Sequence, residues 1–249
     1  DTLVFVLDGS LRSVPMSVLY DGERYLIENY SITLTPGLQL IAPRPLQQQG
    51  LETIAAGLAE PRHGFSALEN VGTELARIEN TVPSQVLLNE AFTSDALREK
   101  VEALPYPVVH LATHGQFSSR AEDTFILAWD RPLNVNEISS ILRTGDQNRQ
   151  APIELLIMSA CQTAAGDDRA ALGLAGVAVR AGARSTIASL WNLDDASGAL
   201  LVGNLYDQLV NPDTSKAEAL RQAQLTLLNN PDYRAPYFWA ALVLVGNWL

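Results

Sequence analysis

One cysteine, two methionines and three histidines are all that this chain of 249 residues holds of the side chains that build disulfides, soft cores and most transition-metal sites. A lone cysteine excludes an intrachain disulfide and a cysteine-rich zinc site, in keeping with a reducing, cytoplasmic setting. Positive charge is also scarce, with 17 Lys and Arg against 28 Asp and Glu, a net of −11. That balance repels phosphate backbones and anionic membrane surfaces, so neither nucleic acid nor membrane is an expected partner. No apolar run reaches the roughly 18 residues of a bilayer span; the best candidate, Phe238 to Val245, is far too short. Phosphate-loop, dinucleotide and Gly-x-Ser-x-Gly signatures are missing, as are fixed-period repeats. The histidines, the cysteine and the scattered acids do not reach a zinc spacing, and neither a metal nor another cofactor is expected.

What is present reads as alternating strands and helices. Leu3 to Leu7 is a strand run, and because it begins two residues after Asp1, where no Met stands, the chain is expected to be a piece of a longer one. Val14 to Leu19, Asp21-Gly22 and Tyr25 to Ile27 have the chemistry of a hairpin. Pro43 to Gly50 breaks all periodicity and is expected to separate a β-rich N-terminal portion, residues 1–43, from an α/β core, residues 51–249. In the core, strand runs at Ile54 to Leu58, Gln85 to Leu88, Val108 to Ala112, Phe125 to Ala128, Leu155 to Met158 and Ser185 to Leu190 alternate with helical patterns. Those helices fall at Ala67 to Glu79, Thr93 or Ser94 to Ala103, Val135 to Leu142, Ala171 to Ala181, Ser197 to Leu209 and Lys216 to Leu228. Such alternation predicts a mainly parallel sheet covered by helices on both faces.

The chemistry is expected where two strands end. Cys161 follows the Leu155 to Met158 run and His114-Gly115 follows the Val108 to Ala112 run, so both lie at carboxyl ends of parallel strands. A thiol beside an imidazole suits nucleophilic catalysis, because such pairing lowers a thiol pKa from about 8.5 into a range of roughly 3.5 to 7.5. His114 would then protonate a leaving amine, and the backbone N–H groups of Gly115 and Cys161 would form an oxyanion hole. His110, mid-strand among apolar neighbours, reads as a core histidine, and His63 beside Gly64 as a solvated one.

His110-Leu-Ala-Thr-His114-Gly115 and Ser159-Ala-Cys161-Gln-Thr163 resemble the histidine and cysteine motifs of CHAT domains, caspase-like peptidase domains often attached to helical repeats. The two residues stand 47 positions apart (161 − 114), near the separation of about 50 in the caspase signature. Ala181 to Ala183, Ser189 to Asp195, Ala219 to Gln224 and Pro236 to Ala241 extend the likeness over nearly all of residues 1–249 as one domain. The resemblance implies a caspase-like three-layer α/β sandwich with a β-hairpin-rich N-terminal portion and a Cys161–His114 dyad acting on protein or peptide substrates. It also implies a substrate pocket lined by Trp191, Asp194 and Asp195, in which an acid would receive Arg or Lys before the scissile bond. Against that stands helix capping, for which Asp194 and Asp195 are equally well placed before the helix near Ser197. Asp167 and Asp168 read as polar loop residues. The alternative is a catalytically silent caspase-like interaction module working with an upstream helical-repeat domain or a regulatory protein.

Overall fold

Short strands whose residues are apolar on both faces decide the architecture, because only a sheet covered on both sides buries them all. A computed structural model describes residues 1–8, 11, 14–35, 45–46, 50–103, 106–117, 123–148, 153–159, 162–163 and 182–249. Its main sheet has eight strands: β1 (Thr2–Phe5), β2 (Ser31–Leu34), β3 (Thr53–Gly57), β4 (Ser84–Leu88), β5 (Val108–Ala112), β9 (Leu155–Met158), β11 (Ser185–Ser189) and β12 (Leu242–Gly246). Their order is β1-β2-β12-β11-β9-β5-β3-β4. Strands β11, β9, β5, β3 and β4 are mutually parallel. The reversal comes at β12, antiparallel to β11 and parallel to β2. β5 and β9, the strands that lead to His114 and Cys161, are direct neighbours with His110 opposite Ile157.

Alternation along these strands feeds two cores. Ala55, Val108, Leu155, Ile157 and Ile187 face α2 (Val71–Thr81), α5 (Asp195–Leu209) and α6 (Lys216–Leu228), whose Leu75, Ile78, Leu205 and Ala223 complete one cluster. Ile54, Val109, Leu111, Leu156 and Met158 face α3 (Ser94–Ala103) and α4 (Val135–Asn148), with Leu97, Val101, Ile138 and Ile141. The result is the three-layer sandwich expected of alternating strands and helices. Beyond the carboxyl ends of β5 and β9 lies a second sheet of order β10-β6-β7-β8, built from β6 (Gly115–Phe117), β7 (Phe125–Leu127), β8 (Pro132–Asn134) and β10 (Gln162–Thr163).

The N-terminal portion differs from the hairpin expected of it. The turn is present, with Asp21 Oδ1 accepting from the N–H groups of Glu23 and Arg24 at 2.8 Å each. It is closed by an isolated bridge between Tyr20 and Tyr25, flanked by a 3-10 turn (Met16–Val18) and by α1 (Leu26–Asn29) in place of paired strands. The Glu28 carboxylate accepts from the Tyr25 N–H at 2.6 Å and so turns the chain into a helix. Arg221 in α6 then donates to the Ile27 carbonyl at 2.7 Å, holding that helix end. The small-residue helix expected over 171–181 lies outside the described residues, as do Asp167 and Asp168.

Near Glu154 and Arg184, which precede β9 and β11, Lys216 is fully buried and its Nζ finds no hydrogen-bond partner among the described residues. Burial lowers its pKa from 10.5 to about 8, with the Arg184 cation adding to the shift and the Glu154 carboxylate opposing it. Glu154 itself pairs with Arg184 at 3.1 Å. Between pH 8 and 10.5 the unfolded chain therefore holds a proton that the folded chain lacks, so stability rises with pH across this window. Lys216→Met, which removes the buried charge at similar volume, is expected to stabilise the fold at pH 7 by about 1–4 kcal/mol. The gain should shrink toward pH 10.5; thermal melts giving the same difference at both pH values would contradict this.

Candidate active site

His114 stands at the carboxyl end of β5, and its ring is held by two neighbours. Nε2 lies 2.8 Å from the Ser66 carbonyl oxygen. A carbonyl only accepts, so Nε2 carries the hydrogen, and Nδ1 is the basic nitrogen of the neutral ring. The Phe65 ring packs on the imidazole at 5.1 Å between centroids and meets Phe125 edge-on at 6.3 Å. The His114 carbonyl accepts from the Leu127 N–H at 2.8 Å, fixing its backbone to β7.

The segment that supplies Ser66 is itself pinned along its length. Asn89 Oδ1 accepts from the Ala59 N–H at 2.8 Å, and Arg62 Nε donates to the Trp129 carbonyl at 3.0 Å with its guanidinium 3.9 Å from the Trp129 ring. His63 and Gly64 both take positive φ, 52° and 86°, between reciprocal Arg62–Phe65 backbone bonds, the geometry of a tight hairpin turn. His63 is thus a turn residue that also places Nε2 3.2 Å from the Trp129 carbonyl. Sequence reading missed Phe65 and Ser66; His63-Gly64 between two hydrogen-bonding neighbours was the available turn signal.

Gly115 is buried and opposite Ile126 in the β6–β7 pair. A Cβ there would meet the Phe125 carbonyl oxygen at 2.9 Å, so the close approach of β7 itself demands glycine. Cys161 lies outside the described residues, but both of its flanks are placed. Ser159 follows β9, and Gln162 and Thr163 pair in parallel with Gln116 and Phe117. The residue after the cysteine is therefore in register with the residue two beyond His114.

The two acids at the start of α5 separate. Asp194 is the N-cap, its Oδ1 accepting from the Ser197 N–H at 2.9 Å. Asp195 reaches across to the start of α2, its Oδ2 accepting from both the backbone N–H and the side-chain amide of Asn70 at 2.9 Å each. Asn70 ends the segment that bears Ser66, so Asp195 is tied to the segment that contacts His114 while Asp194 serves its own helix. Trp191 donates from Nε1 to the Tyr237 carbonyl at 3.0 Å and packs on the core beneath α5. His110 is fully buried, as expected of a core histidine, with Nε2 2.7 Å from Glu74 Oε1 and Nδ1 without a hydrogen-bond partner among the described residues. Among the described residues no three His, Cys, Asp or Glu side chains converge on a metal position, and no helix is long and apolar enough to cross a membrane.

The fold has known counterparts. A family model of the CHAT domain matches residues 1–247. The chain belongs to the CHAT domain family. No curated protein sequence matches this CHAT domain. Among solved structures it is similar to the Arg-specific cysteine proteinase gingipain R, with a TM-score of 0.54 and 10% identity over 82% of the chain and 48% of gingipain. The separase–securin complex of Saccharomyces cerevisiae matches with a TM-score of 0.55 and 15% identity, over 88% of the chain and 14% of the yeast one. The complex of Porphyromonas gingivalis RgpB pro- and mature domains gives 0.55 and 10%, over 88% of the chain and 56% of its counterpart. The CHAT domain thus has the caspase-like fold of these cysteine proteases and spans roughly half or less of their length.

Proposed function

We propose that this CHAT domain is a cysteine endopeptidase that cleaves protein substrates through Cys161 and His114. The observation that carries the reading is the register of the second sheet: Gln162 opposite Gln116 ties the chain just after Cys161 to the chain just after His114. In this mechanism His114 Nδ1 takes the thiol proton and the sulfur attacks the scissile carbonyl carbon, forming the C–S bond and an oxyanion held by the Gly115 and Cys161 N–H groups. Collapse breaks the C–N bond, and the imidazolium returns its proton to the leaving amine. Water, deprotonated by His114, then attacks the thioester, releasing the acid and regenerating the thiol. The partners in this reading are a protein or peptide substrate and an upstream helical-repeat domain or regulatory protein; the separase–securin neighbour supports a protein partner.

Specificity for a basic residue before the cut is assigned to Asp195, with Trp191 and Asp194 at the border of the pocket. Asp195 is preferred because Asn70 holds its carboxylate toward the His114 segment, leaving Asp194 as a cap. A carboxylate held in place favours a guanidinium over a neutral side chain. Asp195→Ala is expected to remove Arg and Lys preference in a positional peptide library, whereas Asp194→Ala keeps it and costs about 1 kcal/mol of stability through the lost cap. An unchanged library profile for Asp195→Ala would reject the assignment. The dyad itself is tested by a peptidyl electrophile with Arg at the reactive end. Covalent label mapping to Cys161, and lost in His114→Ala, supports the peptidase; an unlabelled folded wild type points instead to a silent interaction module.

A further inference from the structure

Three polar side chains buried beneath the two strand ends take no part in the chemistry above. Glu74 in the first turn of α2 is 5% exposed, Ser159 just after β9 is 2% and His110 in β5 is 0%. A single carboxylate oxygen joins them: Glu74 Oε1 accepts from Ser159 Oγ at 2.7 Å and faces His110 Nε2 at 2.7 Å. Ser159 Oγ and His110 Nε2 are themselves 3.5 Å apart. The His110 and Tyr206 rings meet in a T-shaped arrangement at 5.8 Å between centroids, so α5 also packs on this polar trio.

Net stability is a weak reason for such a trio. Taking a carboxylate out of water costs several kcal/mol, and apolar residues of the same volume commonly hold a core as well or better. What the trio supplies is direction. Hydrogen bonds to one oxygen fix angles and distances that apolar packing leaves looser, and each bond here comes from a different element. His110 stands four residues before His114 and Ser159 two before Cys161, on strands that are paired neighbours. Glu74 is fixed in turn, its N–H donating to the Asn70 carbonyl at 2.9 Å, and Asn70 is bound by Asp195. A continuous set of contacts therefore runs from the start of α5, through α2, to the ends of β5 and β9.

We propose that Glu74, His110 and Ser159 are positioning residues, whose shared carboxylate sets the carboxyl ends of β5 and β9 against each other and through them the His114 and Cys161 pair. The catalytic purpose of the trio rests on the dyad reading above; the mechanical coupling of the two strands does not. A reacting pair displaced by about 1 Å loses on the order of 10²-fold in rate.

Two measurements on Ser159→Ala, Glu74→Ala and Glu74→Gln test this at a temperature where circular dichroism shows each variant folded. The first is amide hydrogen exchange. Glu74→Ala is expected to speed exchange in residues 108–112 and 155–159 together, Ser159→Ala to do so in 108–112 as well as at its own site, and β1 to stay as in the wild type. The second is the rate of Cys161 labelling by the peptidyl electrophile, expected to fall about 10- to 100-fold in both alanine variants. Glu74→Gln, whose amide oxygen still accepts, should recover part of that loss. Exchange confined to the substituted element, or labelling at the wild-type rate, overturns the proposal. If Glu74→Ala does not fold, Ser159→Ala and Glu74→Gln decide it. A wild type that resists labelling removes the peptidase reading alone, and the exchange comparison then judges the coupling.

Discussion

Peptide hydrolysis by Cys161→Ala is expected to fall at least about 10⁴-fold in kcat/KM, to the residual level that binding and oxyanion donors provide without a nucleophile. His114→Ala should bring a loss of the same order, because a thiol without its base is mostly protonated near neutral pH and the leaving amine has no proton donor. The double variant should be hardly worse than either single one, since nucleophile and base act as a unit and their effects do not add. Initial rates on an Arg-containing peptide, with circular dichroism of each variant as the folding control, measure all three. Equal cleavage by wild type and Cys161→Ala would assign the activity to something other than this cysteine. Additive losses in the double variant would mean that the two residues act in separate steps.

Trp239→Ala is expected to be the most damaging single substitution to stability, at about 3–5 kcal/mol. Trp239 closes α7 (Pro236–Trp239), is fully buried, and meets Tyr25 edge-on at 5.3 Å between centroids. Its Nε1 donates to the Arg234 carbonyl at 3.0 Å, and its own carbonyl accepts from Gln224 Nε2, which also reaches Leu242. The side chain thus joins the N-terminal portion to the segment before α7, while the backbone of the same residue is tied to α6. A loss of this size is a large share of the roughly 5–15 kcal/mol that keeps a domain folded. Urea unfolding should show a lower midpoint at unchanged slope. Trp239→Phe, which keeps an aromatic ring but loses the hydrogen bond to the Arg234 carbonyl, should cost less than Trp239→Ala. An unaltered midpoint in Trp239→Ala would show that this junction does not contribute to the cooperative core.

Local pattern was enough for the strands and helices of the core. Runs such as Val108 to Ala112 and Leu155 to Met158 are apolar at every position, which only a strand covered on both faces tolerates, and their alternation with helical periods implied the parallel sheet before any coordinate. The strand ends then marked His114 and Cys161, and a CHAT domain was legible from the motifs they sit in. The hairpin near Asp21 was misread because turn chemistry was correctly present, while the Glu28 carboxylate and Arg221, far away in sequence, settled the flanking residues as helix.

Only tertiary structure could divide Asp194 from Asp195. The two are identical and adjacent, and the difference between them is made by Asn70, 125 residues earlier, which the fold brings to one carboxylate and not the other. The same holds for His110, whose burial followed from its neighbours but whose bond to Glu74 depends on how α2 lies across β5 and β9. Sequence by itself determined the strands and helices of the core and the strand ends at which the proposed His114 and Cys161 stand, because hydrophobic period and residue type are local properties. Which oxygen holds which donor, and so how those residues are aimed, was decided by contacts between segments that no local pattern encodes.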